Sequence, residues 1–180
     1  DKQALLGIVG TLNDEEVNVV VELIGGTTIA KTLILEALKN KKHVVTANKA
    51  LIAHYGKELF SEAAKHNVHL FYEASVGGGI PVVVSAKEDL VANNIEKIEG
   101  ILNGTTNFIL TLMETDNLDF NEALAIAEGL GYVEADASLD LDGIDAAHKI
   151  SILTMNAYEC FFDFDKIQCT GIRGVTKKDM

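Results

Sequence analysis

The sequence predicts an α/β protein, with a parallel-sheet layer over residues 1–73 and a helix-rich α+β domain over residues 74–180. Three observations predict it. β-Branched runs alternate with helical periodicity through the first part of the chain, the pattern changes at a glycine-rich segment after Glu73, and amphipathic helices dominate from there on. The 180 residues are 48% hydrophobic and carry 27 acidic against 15 basic side chains, a net charge of -12. A chain of this size buries roughly 70% of the surface its unfolded form exposes, which excludes intrinsic disorder. The basic residues are fourteen lysines and Arg173, scattered between acids, so the electrostatic footprint of a nucleic-acid binder is missing. No apolar run approaches the ~20 residues of a membrane span. Cys160 and Cys169 lack CxxC spacing, which argues against a disulfide framework or a cysteine metal site and suits a reducing cytoplasm.

Val17 to Leu23 is a nearly continuous β-branched run ending at Gly25-Gly26, the pattern of a strand buried on both faces of a parallel sheet. A helix follows, capped by Thr27 or Thr28, with Ala30, Leu33, Ile34, Ala37 and Leu38 at helical spacing and the lysines of 39–42 at its carboxyl end. His43 to Thr46 reads as a second strand, Tyr55 to His66 as a second helix and Val68 to Glu73 as a third strand. This βαβαβ order predicts a partial, doubly wound layer of the Rossmann type. After the glycine-rich turn, Pro81 starts an apolar helix. Ile95 to Leu102 alternates as a strand, Asn103-Gly104-Thr105-Thr106-Asn107 turns into a helix through Met113, and helices follow at Asn121–Gly129 and Asp142–Tyr158. Lys166 to Gly171 reads as a final strand.

Five segments are candidates for chemistry. Gly7-Ile8-Val9-Gly10 lacks the GxGxxG spacing of a dinucleotide fingerprint. Gly25-Gly26 stands at a strand's carboxyl end, where ligands of parallel sheets bind, and is equally a plain helix-initiating turn. Thr46-Ala47-Asn48-Lys49 follows a strand's carboxyl end in the same way, although a surface lysine is the default reading of Lys49. Gly77-Gly78-Gly79 beside Glu73 is either an interdomain hinge, the simpler reading, or an oxygen-lined cation site.

The segment from Glu134 to Lys149 is the most informative. Glu134, Asp136, Asp140, Asp142 and Asp145 crowd into twelve residues. On a helix Asp142, Asp145 and Lys149 share one face, while Ala146, Ile150, Leu153 and Ala157 make a separate apolar stripe. An ordinary i,i+4 ion pair accounts for Asp145 and Lys149 but not for the crowding, whose repulsion is relieved if a substrate ammonium or a metal binds there. EF-hand spacing is absent, which argues against calcium. His148 is read as a packing or surface residue.

These blocks together resemble homoserine dehydrogenase. Val20-Val21-Glu22-Leu23-Ile24-Gly25-Gly26, His43-Val44-Val45-Thr46-Ala47-Asn48-Lys49-Ala50, Glu73-Ala74-Ser75-Val76-Gly77-Gly78-Gly79-Ile80-Pro81, Asn103-Gly104-Thr105-Thr106-Asn107 and Gly131-Tyr132-Val133-Glu134-Ala135-Asp136 follow that family in order. Gly143-Ile144-Asp145-Ala146-Ala147-His148-Lys149 closes the series and is the most specific. The resemblance implies an oxidoreductase that interconverts L-homoserine and L-aspartate 4-semialdehyde with NAD(P), in the biosynthesis of threonine, methionine and isoleucine from aspartate. It implies Lys149 and Lys49 as catalytic lysines, two ammonium groups near enough to influence each other's protonation. It implies Glu134, Asp140, Asp145, Gly104 and Thr105 as substrate contacts, and Gly25, Thr46 and Lys49 as cofactor contacts. It further implies a monovalent cation, sodium, held by Glu73 and the backbones of Val76, Gly78 and Ile80, which favours the cation reading of the glycine turn over the hinge. A cytoplasmic homodimer or higher homo-oligomer is expected, with no nucleic-acid or membrane partner.

Ala137 stands where that family commonly has proline. The amino-terminal strand with its glycine fingerprint and a carboxyl-terminal return segment are not found, so both ends read as cuts. The alternative function is a catalytically inactive binding or assembly module; a semialdehyde dehydrogenase of the acyl-enzyme kind would need a nucleophilic cysteine, and neither Cys160 nor Cys169 lies by a glycine-rich strand end. Without a glycine turn and first-helix N-terminus for the diphosphate, and with a net charge of -12, the 180-residue polypeptide alone is expected to fold and self-associate but neither to bind NAD(P) tightly nor to turn over homoserine. Titration with NADPH by fluorescence checks this, micromolar binding being the contrary result.

Overall fold

The computed structural model describes residues 10–133 and 136–180. Gly7 to Val9 of the first glycine segment, and Glu134 and Ala135 of the acidic block, lie outside them. The chain divides into two compact units, one of residues 1–96 and 151–164, the other of residues 97–150 and 165–180.

In the first unit three short strands, β1 (Val19–Glu22), β2 (His43–Thr46) and β3 (Leu70–Phe71), form a parallel sheet in the order β1-β2-β3. Val19 lies opposite His43, and Val44 opposite Leu70. Helix α1 (Ile29–Lys39) connects β1 to β2 and helix α2 (Lys49–His66) connects β2 to β3. Successive crossovers of one hand in this strand order put both helices on the same face, and α1 and α2 pack on each other. Helix α1 buries Ala30, Ile34, Ala37 and Leu38, a stripe at i, i+4, i+7 and i+8. Leu51, Ile52 and Leu59 of α2 complete the core with Val44 of the sheet.

The alternation of strand and helix thus follows the sequence reading, with four corrections in this unit. The sheet is covered on one face only among the described residues: Val19, Val21 and Phe71 are 51%, 60% and 52% exposed, because both crossover helices fall on the other face. Thr28 occupies the N-cap of α1 in a helical conformation and makes no side-chain cap bond. Helix α2 starts at Lys49 rather than Tyr55, because Asn48 caps it by accepting a hydrogen bond from the Leu51 N–H at 3.1 Å. Strand β3 stops at Phe71, where a 3₁₀ turn, Glu73–Ser75, takes over. Of the lysines expected at the end of α1, Lys42 is buried and donates through Nζ to the carbonyls of Asp14 and Val17, at 2.5 and 2.6 Å, so it holds the segment that leads into β1.

The second unit is helical among the described residues. Helices α3 (Gly104–Thr115) and α4 (Phe120–Gly129) pack around Ile109, Met113, Ala123 and Ala127, with Leu141 of the one-turn helix α5 (Ser138–Leu141) closing the cluster. A capping box of Asp119 and Glu122 starts α4. Helix α6 (Ile144–Tyr158) begins in this unit and its second half, from Ser151, belongs to the first. The strands expected at Ile95–Leu102 and Lys166–Gly171 are not formed. A strand needs a ladder partner; Ile101 is instead 76% exposed, and the later segment folds against α5, with Ile172 N–H donating to the Leu141 carbonyl at 2.8 Å. No helix among the described residues is long and apolar enough to cross a membrane.

In the first unit the buried Tyr72 hydroxyl donates to Asn156 Oδ1 at 2.6 Å, and Asn156 Nδ2 donates to the Ile152 carbonyl at 2.8 Å. Burial pushes the Tyr72 phenol from 10.0 up to about 12. The folded value lies above the unfolded one, so the stability it contributes is complete below pH 10.0 and is lost as the pH rises to about 12. Tyr72→Phe should remove this alkaline loss, on the order of 2–3 kcal/mol. Denaturant melts of both proteins between neutral and alkaline pH check it, parallel curves being the contrary result.

Candidate functional site

The sequence-derived site residues divide between the two units. In the first, the carboxyl ends of β1 and β2 are tied together by Glu22. This buried carboxylate accepts from the N–H groups of Ile24 and Gly25 through Oε1, at 2.7 and 3.0 Å, and from the Thr46 hydroxyl through Oε2 at 2.7 Å. The Thr46 oxygen in turn accepts from Asn48 N–H at 3.0 Å, and Asn48 Nδ2 donates to the Gly26 carbonyl at 2.7 Å. Gly25 and Gly26 have φ of +78° and +69°, and nothing lies within 4 Å of the place a Cβ would occupy. The turn is therefore held from beneath and open above, which suits close approach of a flat ligand group. Lys49 is the first residue of α2 and is half-buried. Glu22 carries little signal of its own in the sequence, where it reads as one polar residue at the end of an apolar strand.

The turn after β3 is built on another carboxylate. Glu73 accepts from the N–H groups of Val83 and Val84 at 2.9 and 2.8 Å, capping the helical segment that Pro81 introduces. Gly77 and Gly78 have φ of +79° and +61°, and Ile80 N–H donates to the Gly77 carbonyl at 3.1 Å. Among the described residues the carbonyls of Val76 and Gly78 accept no backbone hydrogen bond, whereas that of Ile80 accepts from Val82 N–H at 2.8 Å, and no group of three or more His, Cys, Asp and Glu side chains converges. Both Glu73 oxygens are engaged by the Val83 and Val84 N–H groups.

In the second unit the acidic block resolves into pairs. Lys149 Nζ donates to Asp145 Oδ2 at 2.6 Å and to the Leu102 carbonyl at 2.8 Å. Asn103 Nδ2 donates to both Asp140 Oδ1, at 2.7 Å, and Asp145 Oδ2, at 2.9 Å. Its own Oδ1 caps α3 by accepting from Thr106 N–H at 2.8 Å. Asp145 is only 6% exposed. Gly104 and Thr105 open α3, where the first N–H groups have no partner within the helix, and Thr105 Oγ1 donates to the Tyr132 carbonyl at 3.1 Å. Asp136 accepts from the Ser138 hydroxyl and N–H, which hold its carboxyl below the ordinary range.

Two expectations about this block are corrected. Asp142 does not share a face with Asp145 and Lys149: it precedes α6, is exposed, and binds Arg173 Nε at 2.5 Å. The buried residues of α6 include Asp145, His148, Ser151 and Asn156 beside Ala147, Ile152 and Leu153, while Ala146, Ile150 and Ala157 are only partly buried. The polar stripe turns inward because its charges find donors there. Asn103 reads in the sequence only as part of a turn; an Asn immediately before Gly-Thr-Thr, at an N-cap, is the available signal.

A parallel sheet with an open glycine turn at its strands' carboxyl ends is the arrangement at which open α/β sheets bind their ligands. Comparison with known proteins is narrower. Residues 81–180 match the family described as homoserine dehydrogenase and residues 2–73 the family described as homoserine dehydrogenase, NAD binding domain, and the chain belongs to the homoserine dehydrogenase family. The homoserine dehydrogenase of Synechocystis sp. is 48% identical over 169 residues, covering 94% of this chain and 39% of that protein. That of Pseudomonas aeruginosa is 50% identical over 165 residues, covering 92% and 38%. The chain thus spans about two fifths of the length of these curated relatives. The crystal structure of a homoserine dehydrogenase from Thiobacillus denitrificans superposes with a TM-score of 0.92 at 43% identity, over 98% of this chain and 43% of that one. A hyperthermophilic archaeal homoserine dehydrogenase in complex with NADPH does so with a TM-score of 0.83 at 32% identity, over 93% and 51%.

The loop that carries the acids depends on close packing at two glycines. Gly143 has φ of +82° and a Cβ there would stand 2.9 Å from Cys169 Sγ; at Gly171 a Cβ would collide with the Leu141 carbonyl oxygen and lie 2.7 Å from Asp142 Cα. Gly171→Ala should cost about 1–3 kcal/mol. Urea denaturation measures it, and a loss within error of zero would show that the segment moves aside freely.

Proposed function

We propose that these residues serve an NAD(P)-dependent homoserine dehydrogenase, which interconverts L-homoserine and L-aspartate 4-semialdehyde. The observation that carries this reading is the seating of Lys149: two of its three ammonium N–H groups are taken by Asp145 and the Leu102 carbonyl, and the third is left for the oxygen of the substrate. When bound, the nicotinamide cofactor supplies hydride exchange. Residues 1–73 would hold it, with Gly25 and its open turn, Thr46 and Lys49 as contacts, and residues 74–180 would hold the substrate. The NADPH in the archaeal relative supports the choice of cofactor.

The protein's own part is to orient the reacting carbon and to move a proton at the substrate's hydroxyl oxygen. Lys149 does the latter, Lys49 assists from the cofactor side, and Asp145 fixes the direction of the Lys149 side chain. The substrate ammonium is received by Glu134 and Asp140, and the substrate carboxylate by the N–H groups of Gly104 and Thr105 at the start of α3. Glu73 with the carbonyls of Val76, Gly78 and Ile80 is the proposed sodium site, consistent with its oxygen-only donor set. We assign the enzyme to the cytoplasm, to threonine and methionine biosynthesis, and to a homodimer or higher homo-oligomer.

In the full-length enzyme Lys149→Ala should lower turnover by ~10²–10⁴-fold while changing the Michaelis constant far less, as removal of a proton-transfer group does. Steady-state kinetics across pH check it. Turnover near that of the unmodified enzyme at every pH would make Lys149 a structural residue.

A further inference from the structure

The sequence marks Asn103 only as part of a turn, yet its amide uses its hydrogen-bonding capacity in three directions. Oδ1 accepts from the N–H and hydroxyl of Thr106, at 2.8 and 3.0 Å, and Nδ2 donates to Asp140 at 2.7 Å and to Asp145 at 2.9 Å. The side chain is buried. Only one amide orientation allows this, because carboxylates cannot donate and a backbone N–H cannot accept. The residue before it lends its carbonyl to Lys149 Nζ. One dipeptide therefore touches the start of α3, both carboxylates and the lysine.

We propose that Asn103 is a positioning residue for the dehydrogenase reaction: it spaces Asp140 and Asp145 with a single NH₂ group and so fixes the side chain of Lys149 through Asp145. The proposal rests on the catalytic reading of Lys149 given above. Two carboxylates drawn to one nitrogen repel each other, and the shared amide is what makes their approach favourable. Asp145 Oδ2 receives both Asn103 and Lys149, so loss of the amide removes one of the donors that fix the position of the oxygen on which Lys149 rests. A misplacement of about 1 Å at a reacting group is enough to cost ~10²-fold in rate.

The cap and the positioning role are separable by substitution, because Ser and Asp are N-caps as good as Asn and neither supplies the NH₂ group. Asn103→Ser and Asn103→Asp are compared with the unmodified full-length enzyme for thermal midpoint, kcat, KM, NADPH affinity and the rate at which Lys149 is acylated, read by peptide mass spectrometry. For Asn103→Ser the midpoint and NADPH affinity are expected to hold, kcat to fall about 10–100-fold, and Lys149 to be acylated faster. Asn103→Asp, which puts a third carboxylate beside the two, should lose more turnover. Unchanged kcat and acylation in Asn103→Ser would overturn the proposal and leave a simple cap. The acylation rate needs no turnover: faster labelling in Asn103→Ser together with a fully active Lys149→Ala would sustain the positioning of the lysine and refute its catalytic role instead.

Discussion

Asp145 is an ionisable group almost shut off from water, and the second unit is organised around making that tolerable. A buried carboxylate without partners is strongly disfavoured, and the compensation must come from donors at hydrogen-bonding distance. Lys149 from the next turn of the same helix and Asn103 from the start of another supply it. To deliver the Asn103 amide, α3 must begin at Gly104 and point its first turn at α6. To deliver Asp140 to the same amide, the one-turn helix α5 must stop where it does. Gly143 and Gly171 permit the close backbone packing that this requires.

The first unit repeats the device with different acids. Glu22 joins β1, the glycine turn and β2 by accepting from two backbone N–H groups and the Thr46 hydroxyl. Glu73 joins the end of β3 to the helical segment after Pro81 in the same manner. In each case a carboxylate gathers orphan N–H groups from a turn or a helix start, where the local dipole favours negative charge. A chain with a net charge of -12 thus uses several of its acids as internal connectors. The crowding between residues 134 and 145 is relieved partly inside the chain, since Asp136 accepts from Ser138, Asp142 binds Arg173, and Asp140 and Asp145 share the Asn103 amide. A substrate ammonium is therefore not required to hold the described acids together, and any such ligand joins a network already built.

What the sequence by itself determined is what local chemistry determines. β-Branching and helical spacing specify the order of strands and helices in the first unit, because both patterns are read within a few residues. Asp145 and Lys149 stand one helical turn apart, and that spacing alone is enough to pair them. The ordered blocks from Val20 to Lys149 are sufficient to mark the family. Tertiary structure decided the rest. Which face of the sheet is covered depends on the hand of two crossovers, and the two expected strands of the second half fail for want of a ladder neighbour, a condition that no run of residues contains. Asn103 reaches Asp140 across 37 positions, and Lys149 reaches the Leu102 carbonyl across 47. Such partnerships are set when distant segments close on each other, and the inward turn of the polar stripe of α6 follows from them, since a buried charge is stable only where the fold has already placed its donors.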